Sequence, residues 1–420
     1  MLLATAGSSL GFVLPPRPTP VLRREAATPR LSHLTATAAV PWLAPDKVAE
    51  ITEPACQKMM SSIEVAQVEM PSTLATGLVG ASYVRTTCAP SPEVPPVVLC
   101  HSFDSSCLEF RRLLPELDEM GVEAYALDIF GWGFADTTNA TSVGVSAKRE
   151  HLLSFSRSVL GGRPMTLVGV SLGAAVVIDF YAAHPEAVAS TVLVDPQGFI
   201  DGAPPVPEPF ARGGIRVLGS WPLRSFGQQL AYYDTDKLAT DDAIRIGKLH
   251  CARPGWEDDS VEWLLGGGYS VSTLVPKLRA TPCLVLWGRQ DQILPPADYL
   301  PKFVAALPGA QFRWIEECGH TPHLEQPKFL ANAIRAALDG TPVAGDADVS
   351  EVVAAAQRNP LQRLNALLDT PLLDTNVRGG PLEPFKKFAR VEPEAAQAAA
   401  SVVAVLFWFA VFRALAPLFF

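Results

Sequence analysis

The stretch from Met165 to Ala183, MTLVGVSLGAAVVIDFYAA, leaves the chain little choice of local structure. Its first six residues are apolar enough for a fully buried strand, and the segment after Gly173 is too long and too rich in alanine to be anything but helix. Ser171 sits between them, flanked by Gly169 and Gly173. A strand that turns at once into a helix places the residue at the turn above the edge of a sheet. There a serine hydroxyl is presented to solvent or substrate, and the first N–H groups of the helix point at the same place. The two glycines are expected to let the chain turn that sharply.

The rest of the chain alternates in the same manner. Residues 63–70 and 81–87 read as an opening hairpin. Strands are expected at 96–100, 122–129, 165–170, 191–194, 283–287 and 312–315, with helices at 108–120, 147–160, 297–306 and 328–338. Strands and helices at this spacing imply an α/β fold with a mostly parallel central sheet covered on both faces, here assigned to residues 60–340. One interval breaks the rhythm. Residues 197–280 carry Trp221, Tyr232, Tyr233, Trp256, Trp263 and Tyr269 among prolines and glycines, and an insertion of that length between two sheet strands is expected to be a lid.

A serine hydroxyl is a weak nucleophile at neutral pH. It needs a base, a carboxylate to orient that base, and donors for the oxyanion. Asp291 in LVLWGRQDQILP follows one expected strand, and His320 in IEECGHTPHLEQP follows the next. Both can therefore emerge at the carboxyl edge that carries Ser171, with His320 as general base and Asp291 as its orienting acid. Asp195, which ends the strand in TVLVDPQ, competes with Asp291 for the acid, and His323 competes with His320 for the base. The oxyanion donors are expected to be the backbone N–H groups of Leu172 and of Phe103 in the loop HSFDSS, with the His101 side chain supporting that loop. No metal or cofactor is required by this set.

Composition narrows the function further. A net charge of −9 without a basic stripe excludes a nucleic-acid partner. The seven cysteines, at 56, 88, 100, 107, 251, 283 and 318, lack CxxC spacing and read as reduced core residues. Residues 1–45 hold four arginines against one acid among Ala, Ser, Thr and Pro, the pattern of an organelle transit peptide without order of its own. Residues 341–394 read as a linker followed by amphipathic helix interrupted at Pro360. In the hydrophobic tail, 395–420, the run AAASVVAVLFWFAVF carries no charge, which points to membrane association.

From His101 to Pro327 the chain resembles the α/β-hydrolase superfamily. HSFDSS stands near the family's HGxxxS loop, DIFGWGFAD near its DxxGxGxSD stretch, and GVSLG, GRQDQI and GHTPHLEQP follow in order. Ser102 replaces the usual glycine, and Ala135 the usual serine. SSCLEFRRLLPEL, SAKREHL, VSLGAAVVIDF and GKLHCARPGWEDDSV are more closely similar to plant and algal plastid hydrolases linked to release of phytol or other prenyl chains. The resemblance implies a serine hydrolase acting on a lipophilic carboxylic ester, in the plastid or secondarily the mitochondrion. The alternatives are a carbon–carbon bond or thioester hydrolase with the same triad, and a non-enzymatic scaffold that binds prenyl lipid.

Overall fold

A computed structural model describes residues 40–43, 45–202 and 206–356. Most of the expected transit peptide, the hydrophobic tail and the chain beyond residue 356, including the helix expected around Pro360, lie outside the described residues. Eight strands, β1 (Glu64–Val68), β2 (Val79–Arg85), β3 (Val97–Cys100), β4 (Ala124–Leu127), β5 (Met165–Val170), β6 (Val188–Val194), β7 (Cys283–Gly288) and β8 (Gln311–Ile315), form one sheet in the order β1-β2-β4-β3-β5-β6-β7-β8. The hairpin β1–β2 is antiparallel and β2 runs antiparallel to β4, while every other neighbouring pair is parallel.

The near-continuous apolar character of the central strands follows from burial on both faces. Side chains alternate across a strand, so Val98, Cys100, Leu167, Leu193 and Val285 enter one core, and Val97, Leu99, Val168, Val192 and Leu284 enter the other. Helix α1 (Leu113–Glu119) covers the second core with Leu113 and Leu117. Helices α2 (Val145–Val159) and α3 (Leu172–Ala183) cover the first with Phe155, Val177 and Phe180.

Between β6 and β7 lies the inserted helical region, with α4 (Glu208–Leu218), α5 (Trp221–Ala231), α6 (Asp241–Lys248) and α7 (Trp256–Leu265). It has a small core of its own in Ala211, Ile215, Trp256 and Val261. After β7, α8 (Pro296–Ala306) leads to β8, and α9 (Pro327–Asp339) packs Leu330 and Ile334 beneath the sheet.

Two segments differ from the sequence expectation. The helix expected over 108–120 is a 3-10 turn, Cys107–Phe110, followed by α1. Pro115 explains the break, because its ring and missing N–H cannot continue a helix that began at Cys107, whereas they fit the first turn of one that restarts at Leu113. The stretch 341–349, read as linker, is fastened along β8. Trp314 donates its backbone N–H to the Asp346 carbonyl (2.9 Å) and its Nε1–H to the Asp348 carbonyl (2.8 Å), and Arg289 pairs with the Asp346 carboxylate (2.6 Å). The segment thereby covers an otherwise unpaired sheet edge before helix α10 (Ser350–Ala356). No helix among the described residues is long and apolar enough to cross a membrane.

Candidate active site

The six mutually parallel strands, β3 to β8, deliver their following loops to one edge of the sheet. Ser171, immediately after β5, has φ 52° and ψ −117°, a conformation that costs a residue with a Cβ on the order of 1–3 kcal/mol. The strain falls on the serine and not on the flanking glycines, neither of which takes a positive φ. Their lack of a side chain serves close approach instead. A Cβ on Gly173 would stand 2.1 Å from the Cys100 carbonyl oxygen, and one on Gly169 would stand 2.4 Å from the Gly173 carbonyl oxygen. Burial and hydrogen bonding hold the turn: Ser171 donates its N–H to the Val194 carbonyl of β6 at 2.9 Å.

His320 meets Ser171 across the edge. Its Nε2 lies 2.9 Å from the Ser171 Oγ and its Nδ1 lies 2.8 Å from Asp291 Oδ2. A carboxylate only accepts, so Nδ1 carries the proton and Nε2 accepts from the serine hydroxyl. Asp291 is fixed in turn, its Oδ1 accepting the N–H groups of Ile293 (2.8 Å) and Leu294 (2.9 Å). The three side chains are almost wholly enclosed, which strengthens the electrostatic coupling between them. The Ser171, His320 and Asp291 singled out from sequence thus form one hydrogen-bonded chain, a Ser-His-Asp arrangement.

The rival residues take other positions. Asp195, with φ 42°, turns its Oδ1 to the Gly288 N–H at 2.7 Å. Burial, and then the nearby charge of Asp291, push its pKa well above the ordinary carboxylate value. His323 is buried behind the 3-10 turn, with Nε2 3.0 Å from Glu109 Oε1, and does not touch Ser171.

Leu172 is the first residue of α3, where an N–H has no helical partner. Neither its N–H nor that of Phe103 donates to any group among the described residues. His101 supports the Phe103 loop: its Nε2 accepts the Ile129 N–H (3.0 Å), which leaves Nδ1 to donate to the Ser102 carbonyl (2.7 Å). Both partners have fixed roles, so the tautomer is fixed as well. Burial lowers the pKa of this imidazole.

Further residues, to which the sequence reading assigned no role, brace these loops. Glu109 accepts both the N–H (2.8 Å) and the hydroxyl (2.6 Å) of Ser102, so the serine in place of glycine is bonded into the loop. Glu325 accepts the Gly319 N–H (2.9 Å) and the Tyr233 N–H (2.7 Å), joining the His320 loop to the end of α5. Burial raises its pKa, opposed by those backbone N–H groups. His250 and Trp256, which grip Asp104, belong to the quoted run GKLHCARPGWEDDSV, the one signal in the sequence that could have found them.

The Alpha/beta hydrolase family matches residues 97–333. The alpha/beta hydrolase domain-containing protein VTE7 of Arabidopsis thaliana is 34% identical over 334 residues, covering 78% of this chain and 96% of its own length. A 2-hydroxy-6-oxononadienedioate/2-hydroxy-6-oxononatrienedioate hydrolase of Cupriavidus pinatubonensis is 27% identical over 52% of this chain and 77% of its own. Among solved structures, a thermophilic esterase from Thermogutta terrifontis superposes with a TM-score of 0.55 at 20% identity, over 66% of this chain and 98% of that one, a likeness of fold. The sheet order, the strained serine between β5 and α3 and the family match together place the chain in the alpha/beta hydrolase family, as an enzyme of that fold.

Proposed function

We propose that the chain is a serine hydrolase that cleaves a lipophilic carboxylic ester, of prenyl or acyl type, through an acyl-enzyme on Ser171. The observation that carries this reading is the unbroken chain of hydrogen bonds from Asp291 through His320 to a serine held at positive φ. His320 Nε2 takes the hydroxyl proton as Oγ attacks the ester carbonyl, and Asp291 stabilises the resulting imidazolium. The N–H groups of Leu172 and Phe103 receive the oxyanion. Collapse of the tetrahedral adduct expels the alcohol, which takes its proton from His320. Water then enters by the same route in reverse, His320 accepting its proton, and releases the acid and free Ser171.

The lipophilic substrate is supported by the quoted likeness to prenyl-releasing plastid hydrolases and by the uncharged run in residues 398–412. The same sequence features support a plastid location for a domain spanning 60–340, with 197–280 as its lid, a leader in 1–45 and membrane attachment through 395–420. Similarity to hydrolases of 2-hydroxy-6-oxo-dienoates supports a second reading, carbon–carbon bond hydrolysis with the same three residues. Incubation of purified protein with a total lipid and pigment extract tests the first reading. One ester class should disappear while free acid and free alcohol accumulate in equal amounts, and Ser171→Ala protein should leave it intact. Turnover of a 2-hydroxy-6-oxo-dienoate with no ester consumed would favour the second.

A further inference from the structure

Asp104 follows Phe103 in the loop after β3 and takes φ 46°, in the left-handed region. The loop is fixed by polar contacts along its length. Besides the contacts of His101 and Ser102, the Ser105 carbonyl accepts the Gly133 N–H (3.1 Å), and the Cys107 N–H donates to Asp128 Oδ1 (2.6 Å). All those partners lie outside the inserted region, in the 3-10 turn after β3 and the loop after β4. The polar partners of Asp104 come from the inserted region instead.

Its Oδ1 accepts the Trp256 Nε1–H at 2.7 Å and lies 3.0 Å from His250 Nε2. Its Oδ2 is paired with Arg224, whose Nη1 also donates to the Asp104 carbonyl at 3.2 Å. Arg224 is itself fastened within the insertion, to the carbonyls of Leu218 (3.0 Å) and Gly247 (3.0 Å). One buried carboxylate therefore gathers α5, the turn Leu249–Ala252 and the start of α7. Burial alone would raise the Asp104 carboxyl, yet the charges of Arg224 and His250 hold it well below the usual carboxylate range. Helix α7 reaches the same loop a second time, through the Trp263 ring 5.0 Å from the Phe103 ring, and both rings meet Trp132.

We propose that Asp104 is a positioning residue that makes the oxyanion hole conditional on the seating of the inserted helices. The inference rests on the serine-hydrolase reading above. When those helices lift, the Asp104 carboxylate loses Arg224, His250 and Trp256 together, and a buried charge without partners must move toward water. A residue at positive φ has no reason to stay there once its contacts are gone. The Phe103–Asp104 peptide follows, which leaves the Phe103 N–H anchored only through the Ser102 carbonyl that His101 binds, and displacement of an oxyanion donor by about 1 Å costs on the order of 100-fold in rate. Ester hydrolysis is then confined to the state in which the helices close over a bound substrate.

The test uses full-length protein, a p-nitrophenyl butyrate assay and a trifluoromethyl ketone, which binds as an oxyanion adduct. Fluorophosphonate labelling of wild-type Ser171 comes first; a wild-type chain that does not label overturns the serine reading itself, independently of Asp104. Given labelling, Arg224→Gln and Asp104→Asn should lower kcat about 10- to 100-fold with KM changed less than about threefold, and should weaken the ketone by the same factor as kcat. Trp256→Phe, which keeps the ring and loses only the N–H, should show a smaller loss of the same kind. Arg224→Lys should recover most of the activity lost in Arg224→Gln. Unchanged kcat in Arg224→Gln and Trp256→Phe would overturn the proposal, and so would losses that fall on KM and melting temperature while ketone affinity stays at the wild-type value.

Discussion

Asp195 and Asp291 stand beyond the ends of adjacent parallel strands and face the same imidazole, but only Asp291 is bonded to it. One ligand-type atom from each of the two carboxylates and from His320 lie within 4.8 Å of one another. The two acids nonetheless differ in role. Asp291 accepts from His320 and from two backbone N–H groups, whereas Asp195 is committed to the Gly288 N–H and has a second oxygen without a hydrogen-bond partner among the described residues. Two neighbouring buried carboxylates cannot both ionise cheaply, and burial, with the charge of Asp291 beside it, pushes the Asp195 carboxyl well above the ordinary value.

This division predicts opposite results for the two isosteric changes. Asp291→Asn should leave the fold intact and lower kcat by about 10⁴, because the imidazole loses the acceptor that fixes its tautomer. Asp195→Asn keeps an acceptor for Gly288 and should leave kcat within about threefold, as expected where no named destabilising mechanism applies. The pH dependence of stability separates them again. A folded-state pKa above the unfolded value of 3.8 means that wild-type protein loses stability as pH rises from that value toward the folded pKa. Asn at 195 has no such loss, so its melting temperature relative to wild type should be higher at pH 8 than at pH 4. A larger activity loss at position 195 than at 291, with both proteins folded, would reverse the assignment.

The bond from His320 to Ser171 predicts a single reactive hydroxyl. A fluorophosphonate should label the protein once, on the peptide containing Ser171, and Ser171→Ala or His320→Ala should remove the label. Mass spectrometry of the labelled digest decides the matter, and a label retained in Ser171→Ala protein rules out Ser171 as the nucleophile.

Gly319 offers a test of how tightly the base is placed. A Cβ there would stand 2.3 Å from the Ala231 carbonyl oxygen, the same oxygen that accepts the His320 N–H at 2.7 Å. An alanine must push the His320 loop away from the end of α5, since the two nearest atoms it would meet there, the Ala231 carbonyl oxygen and the Tyr233 nitrogen, are backbone. Gly319→Ala should therefore cost about 1–3 kcal/mol of stability and, through displacement of the imidazole, on the order of 100-fold in kcat. Thermal melts and short-ester kinetics on the same preparation give both numbers. Activity within twofold of wild type would mean that the loop has slack the close contact does not suggest.

The strands, the helices on both faces and the three residues at the carboxyl edge were legible because each rests on a local pattern. A run such as Val97–Cys100 must be buried on both sides, and Ser171 between two glycines must turn. What could not be read depends on partners distant in sequence. Glu109 is indistinguishable from any helix-face acid until the fold brings it to Ser102, seven residues back around a 3-10 turn. Asp104 looks like a loop residue until Arg224, 120 positions away, closes on it. The break before Leu113 was the exception, since Pro115 was in plain view and its effect on the preceding turn is a matter of local sterics alone.

The hydrophobic tail lies outside the described residues, and its contribution is open to a direct test. An ester of a long isoprenoid or acyl chain is concentrated in membranes and scarce in water. Residues 398–412 carry no charge, with Lys386, Lys387 and Arg390 before them and Arg413 after them, the apolar surface and basic flanks that hold a protein at an anionic bilayer. Asp291, His320 and Ser171, by contrast, are joined by hydrogen bonds among the described residues. A chain ending at Glu394 should therefore leave the membrane fraction and hydrolyse p-nitrophenyl butyrate within about twofold of the full-length rate. On ester embedded in liposomes it should fall by at least tenfold, the order expected when one of two anchoring contributions is lost. Parallel loss of both activities would instead make the tail part of the hydrolase core, and retention of the truncated protein on liposomes would move the attachment site into the folded domain.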